Sequence, residues 1–219
     1  DANGLRVTRF DAPAVRDFAL YANASAKTAQ GMQDGVLIRA CANSAGDART
    51  LVSSASKALA CYQARYGAYP YPTLNLCAVD LPTGGTAFPG MVWTTPAELA
   101  REGDAVEQQI ALLVARQWWA AVVGVDGFYQ AWQADALSMF SLLDYWETQH
   151  GRAARDELQF ALTDTAMRLT IPRGITPGSP LDYFGDWTEF RLVVTNRGAA
   201  ALCALNTAMN GTLDEFLHT

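Results

Sequence analysis

The chain is poor in the residues that most often bind metals or act as nucleophiles. Its 219 residues include two histidines and four cysteines, and no two cysteines have C-x-x-C spacing. Neither His150 nor His218 stands at ligand spacing from a cysteine, which argues against a cysteine–histidine zinc site. We expect buried free thiols, with a Cys41–Cys77 bridge between strands as the alternative in an oxidising compartment. The G-x-S-x-G nucleophile elbow and the phosphate-binding P-loop are also absent.

Basic charge is scarce as well. There are 16 Lys and Arg against 22 Asp and Glu, giving a net charge of −6 without a polybasic run. Nucleic acids and anionic membranes attract basic faces, so neither is an expected partner. The longest apolar run, residues 110–125, is short for a membrane span and contains Arg116 and Gln117, so we expect a buried helix. The N-terminal DANGLRVTRF has no signal-peptide core, which indicates a mature or excised chain.

What is present predicts a globular α+β protein. Half of the residues are hydrophobic and 17% are charged. The first 42 residues contain the β-rich runs RVTRFDA, VRDFALYA and GVLIRACA, with a hairpin turn predicted at 33–35. A helical period begins near residue 46, with Asp47 as the expected N-cap and Gly67 as the stop. Two further strands, TLNLCAVD and MVWTT, flank the Gly/Pro-rich segment LPTGGTAFPG, which is predicted to be a loop.

The remainder of the chain is predicted to be mostly helical. Helices are expected at about 104–123 and 128–150, and a closing pair at about 187–209 and 212–218. Between them lies an irregular segment, residues 170–187, which is long enough to indicate a functional loop.

Five segments occur in the order YQARYGAYPYP, GGTAFPG, RQWWAAVVG, AWQADAL and VVTNRG. This order resembles the aminopeptidase N family, the zinc-dependent gluzincin aminopeptidases, over about residues 50–217. The resemblance implies a thermolysin-like catalytic domain, in which a small mixed β-sheet packs on a mainly helical body. It also divides the chain: residues 1–42 look like the end of the family's preceding β domain, and residues 43–219 like the catalytic domain.

The resemblance places two of the family's three zinc ligands on residues that do not bind zinc. In the family, H-E-x-x-H stands directly before Q-W-W, and its two histidines bind the metal while the glutamate activates water. Laid on this chain, the first histidine falls on Leu112, the glutamate on Leu113 and the second histidine on Arg116. The third ligand, a glutamate, falls on Asp135, with the family's eighteen intervening residues kept at 117–134. Leucine has no lone pair, and arginine stays protonated and repels a dication.

Two other functional positions of the family are also changed. The loop that holds the substrate's amino group corresponds to Gly84, Gly85, Thr86 and Ala87, with alanine where the family has its glutamate. The tyrosine that stabilises the oxyanion corresponds to Thr195, which lacks the reach of a phenol. Zinc binding, water activation, amine recognition and oxyanion stabilisation are therefore all expected to be lost.

We therefore expect a catalytically inactive, aminopeptidase-like domain without zinc. It would bind an extended peptide or a protein, or pack against other domains of a larger protein. The alternative is an enzyme of the family with altered or residual peptidase activity. Arg116 and Asp135 are expected to form an ion pair in place of the metal, unless Arg116 extends into an open cleft and Asp135 is solvated. The sequence leaves the compartment open, while the resemblance implies an extracytoplasmic or cell-surface location.

Overall fold

The computed structural model describes residues 7–11, 15–101, 103–171 and 174–218. The strands in these ranges are β1 (Lys27–Gln33), β2 (Val36–Ala42), β3 (Thr73–Ala78), β4 (Gly85–Phe88) and β5 (Met91–Thr94). The α-helices are α1 (Ala45–Tyr66), α2 (Pro96–Leu99), α3 (Ala105–Arg116), α4 (Ala131–His150), α5 (Arg152–Gln159), α6 (Thr165–Arg168), α7 (Trp187–Phe190), α8 (Gly198–Ala208) and α9 (Leu213–Leu217). Three π-helical segments, Gln117–Val122, Phe160–Asp164 and Arg191–Arg197, continue α3, α5 and α7.

The strands form one mixed sheet in the order β1-β2-β3-β5-β4. The central pairs, β2 with β3 and β3 with β5, are parallel, whereas β1 with β2 and β4 with β5 are antiparallel. Helices make up most of the remaining structure. The predicted α+β class, with a small mixed sheet on a mainly helical body, is therefore confirmed.

The β-rich N-terminal segment is only partly correct as predicted. The hairpin turn at 33–35 is confirmed, because Asp34 and Gly35 have φ values of 47° and 82°, as a two-residue type I′ turn requires. VRDFALYA is wrong as a strand: residues 15–22 are irregular and largely exposed. The described part of RVTRFDA, residues 7–11, is likewise not a strand, and the rest of that run lies outside the described residues. Alternation alone does not make a strand where no partner supplies a ladder.

Helix α1 begins earlier than predicted. Ser44, rather than Asp47, is the N-cap, and its Oγ accepts a hydrogen bond from the backbone N–H of Asp47 at 3.0 Å. Asp47 instead adds negative charge to the first turn, where the helix dipole favours it. The predicted stop is confirmed, since Gly67 ends the helix with φ 97°.

The later helices follow the predicted extents with local differences. The predicted helix 104–123 consists of α3 and the π-helical segment Gln117–Val122. Helix α4 starts at residue 131 rather than 128, because Asp126 Oδ1 accepts from the backbone N–H groups of Phe128 and Tyr129 and holds them in a turn. In the described part of the chain, no helix combines the length and hydrophobicity needed to cross a bilayer.

One hydrophobic cluster joins the sheet to the helices. It includes residues of β2, β3 and β5 on one side and of α1, α3, α4 and α8 on the other. Strand β2 lies between β1 and β3, so the sheet continues across the predicted boundary at residue 42. The assignment of residues 1–42 to a separate domain of a longer protein stays a prediction.

Candidate functional site

Helix α3 places leucines at two of the positions where the family has zinc-site residues. Leu113 is 3% exposed and belongs to the core, and Leu112 is half-buried against it. A Cβ built on Gly85 of β4 would stand 2.8 Å from Leu113 Cδ1, so the leucine side chain lies directly against that strand. The Leu113 side chain thus lies between α3 and the start of β4, together with Gln109 Nε2, which would stand 3.2 Å from the same Cβ.

Arg116, at the end of α3, contacts Asp135 in the second turn of α4. Arg116 Nη2 donates a hydrogen bond to Asp135 Oδ1, and the side chains are 24% and 12% exposed. Burial raises the pKa of Asp135, and the attraction of Arg116 offsets this only in part. Arg116 Nε is buried without a hydrogen-bond partner among the described residues. The pair joins two helices across 18 intervening residues, while its role in place of a metal stays a prediction.

The segment matching the family's amine-binding loop is a strand rather than the predicted loop. Gly84 precedes β4, and Gly85, Thr86 and Ala87 lie in it, with Ala87 opposite Val92 of β5. Gly85 is required by close packing, since a Cβ there would come within 2.7 Å of the Trp93 carbonyl oxygen. Strand β4 stands at the end of the sheet, so one of its edges has no partner strand among the described residues.

Two glutamines, Gln109 of α3 and Gln117 of the π-helical segment that follows it, bind the two ends of β4. Gln109 Nε2 donates to the carbonyl oxygen of Gly84 at 3.1 Å. Gln117, fully buried, donates from Nε2 to the carbonyl oxygen of Phe88 at 3.0 Å and accepts from the backbone N–H of Gly90 at 2.9 Å. Gln109 and Gln117 are eight helical residues apart, or about 12 Å, and the four-residue strand β4 is about 13 Å long. The separation of the two glutamines therefore matches the length of the strand.

Sequence reasoning did not assign this role to the glutamines. The available signal was Gln117 itself, a polar residue inside the apolar run 110–125, which must find partners if it is buried. Its partners lie 27 and 29 residues away along the chain, at Gly90 and Phe88, which the sequence does not indicate.

Thr195 lies in the π-helical segment Arg191–Arg197 and is 6% exposed. This segment runs into α8, whose first residue, Gly198, packs on α4: a Cβ on Gly198 would stand 2.6 Å from the Cβ of Ala136. The turn that carries Thr195 therefore lies close to the residue that follows Asp135.

These residues do not fit the zinc ion that the fold family implies. Leu112 and Leu113 offer no atom that can bind a metal. The guanidinium of Arg116 is hydrogen-bonded to the carboxylate of Asp135. Across the described ranges, no group of three or more His, Cys, Asp or Glu side chains is arranged to hold a metal ion.

A second polar region lies between α4, α5 and α8, away from the positions discussed so far. It is a cavity of about 810 Å³ whose charged lining includes Arg65, Asp144, Arg155 and Asp214. Burial raises the pKa of Asp144 to about 6, against the attraction of Arg65 and Arg155. No residue predicted from the family resemblance lines this cavity.

The five-stranded mixed sheet and the mainly helical body match the fold of the aminopeptidase domain. Among solved structures, native leukotriene A4 hydrolase from Saccharomyces cerevisiae is similar, with a TM-score of 0.68 and 17% sequence identity over 88% of this chain. The yeast enzyme in complex with Bestatin has a TM-score of 0.66 at 16% identity over 87% of this chain. The match covers 32% of each of those chains. At this identity the likeness establishes the fold alone.

Leukotriene A4 hydrolase is a gluzincin of the M1 aminopeptidase family, so the likeness agrees with the predicted family at the level of fold. No protein-family profile and no curated protein sequence matches the chain.

Proposed function

We propose that this chain is a peptidase-like domain that has lost catalysis and binds an extended peptide along the free edge of β4. The observation that carries the proposal is the combination of leucine and arginine at zinc-site positions of the family with an edge strand that is held at both ends. Leu113 packs against Gly85, while Gln109 and Gln117 fix both ends of the strand.

The loss of catalysis follows from the donor chemistry. A zinc hydrolase needs three protein ligands and a group that activates the bound water. Position 113 is a buried leucine, and position 116 is a cation already bound to Asp135. Ala87 cannot hold the amino group of a substrate, and Thr195 is buried in a helical segment.

Peptide binding follows from the sheet edge. An unpaired edge strand offers backbone N–H and C=O groups to an extended peptide, which then adds a strand to the sheet. A strand that is already fixed loses little further conformational freedom on binding, which favours affinity. The bonds from Gln109 and Gln117 to β4 and its flanking turn provide this fixation.

The first test measures zinc and peptidase activity in the purified chain. We expect no stoichiometric zinc after dialysis against zinc, and no release of the N-terminal residue from peptides. The matched variant Leu112→His/Arg116→His/Asp135→Glu restores the family's ligands and is expected to retain more zinc than the native chain. Stoichiometric zinc or peptide cleavage by the native chain would overturn the loss of catalysis and favour the alternative, an enzyme with altered activity.

The second test measures peptide binding at β4 by NMR. Extended peptides are titrated into the chain, and we expect backbone amide shifts at residues 85–88 but not along β1, the other edge of the sheet. The matched control is the same peptide with N-methyl groups at alternate residues, which keeps its side chains but removes its donors. The N-methyl groups are placed at the odd residues of one control peptide and at the even residues of another. Shifts at β1 alone, or equal binding of these two peptides, would contradict an added strand. An absence of binding across a varied peptide library would favour a purely structural domain.

A further inference from the structure

Two cysteines from neighbouring strands face each other on the side of the sheet opposite α1. Cys41 of β2 and Cys77 of β3 are direct partners in the parallel register, and each is the last residue but one of its strand. Their Sγ atoms lie 2.9 Å apart. Paired residues of adjacent strands have Cα atoms about 4.8 Å apart, which is within the range that a disulfide spans.

The two thiols differ in exposure and in acidity. Cys41 is partly exposed, whereas Cys77 is 5% exposed. The contact with Cys77 lowers the pKa of Cys41, and the same contact together with burial raises the pKa of Cys77. A thiolate is the attacking species in disulfide exchange, so the accessible member of the pair is also the one more easily ionised.

We propose that Cys41 and Cys77 form a reactive dithiol that low-molecular-weight disulfides, of the glutathione type, oxidise to an intramolecular disulfide. Cys41 is the attacking thiol and Cys77 the resolving thiol. The pair lies on the outer face of the sheet, next to Met91, whose Sδ is 4.0 Å from Cys77 Sγ. The proposal is independent of peptide binding at β4.

The reaction balances in two exchange steps. The Cys41 thiolate attacks one sulfur of glutathione disulfide, the S–S bond breaks, and one glutathione leaves as a thiolate that takes up a proton. Cys77 then loses its proton and attacks Cys41 Sγ, which releases the second glutathione. Two protein thiols are oxidised, and one small disulfide is reduced to two thiols.

The other two thiols provide an internal comparison. Cys61 and Cys203 are each 7% exposed, and burial raises the pKa of both, that of Cys203 to about 11. Both lie in helices, at residues 45–66 and 198–208. They are therefore expected to react much more slowly with the same oxidant.

The test incubates the folded chain with glutathione disulfide and maps the thiols by alkylation and mass spectrometry. The alkylatable thiols are expected to fall from the four in the sequence to two, with a peptide cross-link between Cys41 and Cys77 that dithiothreitol reverses. Cys61→Ser/Cys203→Ser leaves the pair untouched and is expected to form the same cross-link. Both cysteines remaining as free thiols in the oxidised buffer, or a disulfide through Cys61 or Cys203 instead, would overturn the proposal.

Single variants test the order of attack. Cys77→Ser is expected to trap one glutathione on Cys41, whereas Cys41→Ser should leave Cys77 unmodified under the same conditions. Glutathione on Cys77 at a comparable rate in Cys41→Ser would contradict the assignment of Cys41 as the attacking thiol. The measurements on the wild type and on Cys61→Ser/Cys203→Ser do not depend on how either single variant folds.

Discussion

Two buried carboxylates on helix α4 face arginines in different surroundings. Asp135 contacts Arg116 and no other arginine of the described residues, whereas Asp144 lies 3.7 Å from Arg65 at the wall of a cavity. Burial raises the pKa of both carboxylates. Arg65 is in turn 3.2 Å from Asp214, so Asp144 belongs to a network and Asp135 to a pair.

This difference determines how much stability is lost when the partner of each carboxylate is removed. When one member of an isolated buried pair is removed, the other is left without a partner at a cost of several kcal/mol. In a network, the remaining charges can take over part of the interaction. The arrangement therefore predicts a strong dependence on partners at Asp135 and a strong dependence on pH at Asp144.

The largest effect is expected for Asp135→Ala. The variant leaves the guanidinium of Arg116 half-buried without its acceptor, and we expect a loss of about 3 kcal/mol in the free energy of unfolding. Urea unfolding at neutral pH measures this loss. Asp135→Asn keeps an oxygen acceptor and removes a charge that is costly to bury, so it should cost less than about 1 kcal/mol.

The double variant Arg116→Leu/Asp135→Leu tests whether the loss in Asp135→Ala comes from an unpaired Arg116. Replacement of both members of a buried pair by apolar residues is often nearly neutral, so we expect stability within about 1 kcal/mol of the wild type. If Asp135→Ala alone were as mild as the paired replacement, Arg116 would not depend on Asp135.

A smaller effect, visible through pH, is expected at Asp144. Its pKa in the folded protein is about 6, above the ordinary value of 3.8, so between these values the folded state binds more protons than the unfolded state. The contribution of Asp144 to stability therefore falls as pH rises from about 4 to 6 and is constant above. The difference in unfolding free energy between wild type and Asp144→Asn should decrease by about 2 kcal/mol from pH ~4.5 to pH ~7. A pH-independent difference would rule out this titration.

The smallest effect is expected for Asp214→Asn. Its side chain is 32% exposed, and its partner Arg65 retains Asp144 at 3.7 Å. Partly exposed ion pairs contribute little, so we expect a loss of about 0.5 kcal/mol in urea unfolding. A loss above about 2 kcal/mol would show that the network does not compensate for the missing charge.

Local signals of the sequence predicted much of the fold. Asp34 and Gly35 form the turn that their residue types favour, and Gly67 ends α1 as predicted. The strand β4 was missed because GGTAFPG has the composition of a loop, and its pairing with β5 is what makes it a strand. The N-cap was shifted by three residues, since Ser44 and Asp47 are both residue types that favour this position.

Some features of the candidate site were likewise predictable from the sequence, and others were not. The spacing of Arg116 and Asp135 is a property of the sequence. The resemblance predicts that Leu112 replaces a zinc ligand and that Leu113 replaces the glutamate that activates water. The bonds of Gln117 to the turn after β4 could not be predicted, because they join residues 27 and 29 positions apart through a fold that must first be known.

By itself, the sequence determined the α+β class, and it predicted a likeness to a zinc peptidase family with non-ligand residues at two of that family's three zinc positions, because residue types and their order carry this information. Only the tertiary structure decided that Leu113 lies against Gly85, that two glutamines brace the edge strand and that the Cys41 and Cys77 sulfur atoms are 2.9 Å apart. These contacts depend on which elements lie side by side, and that is settled by burial of one shared core rather than by any local pattern.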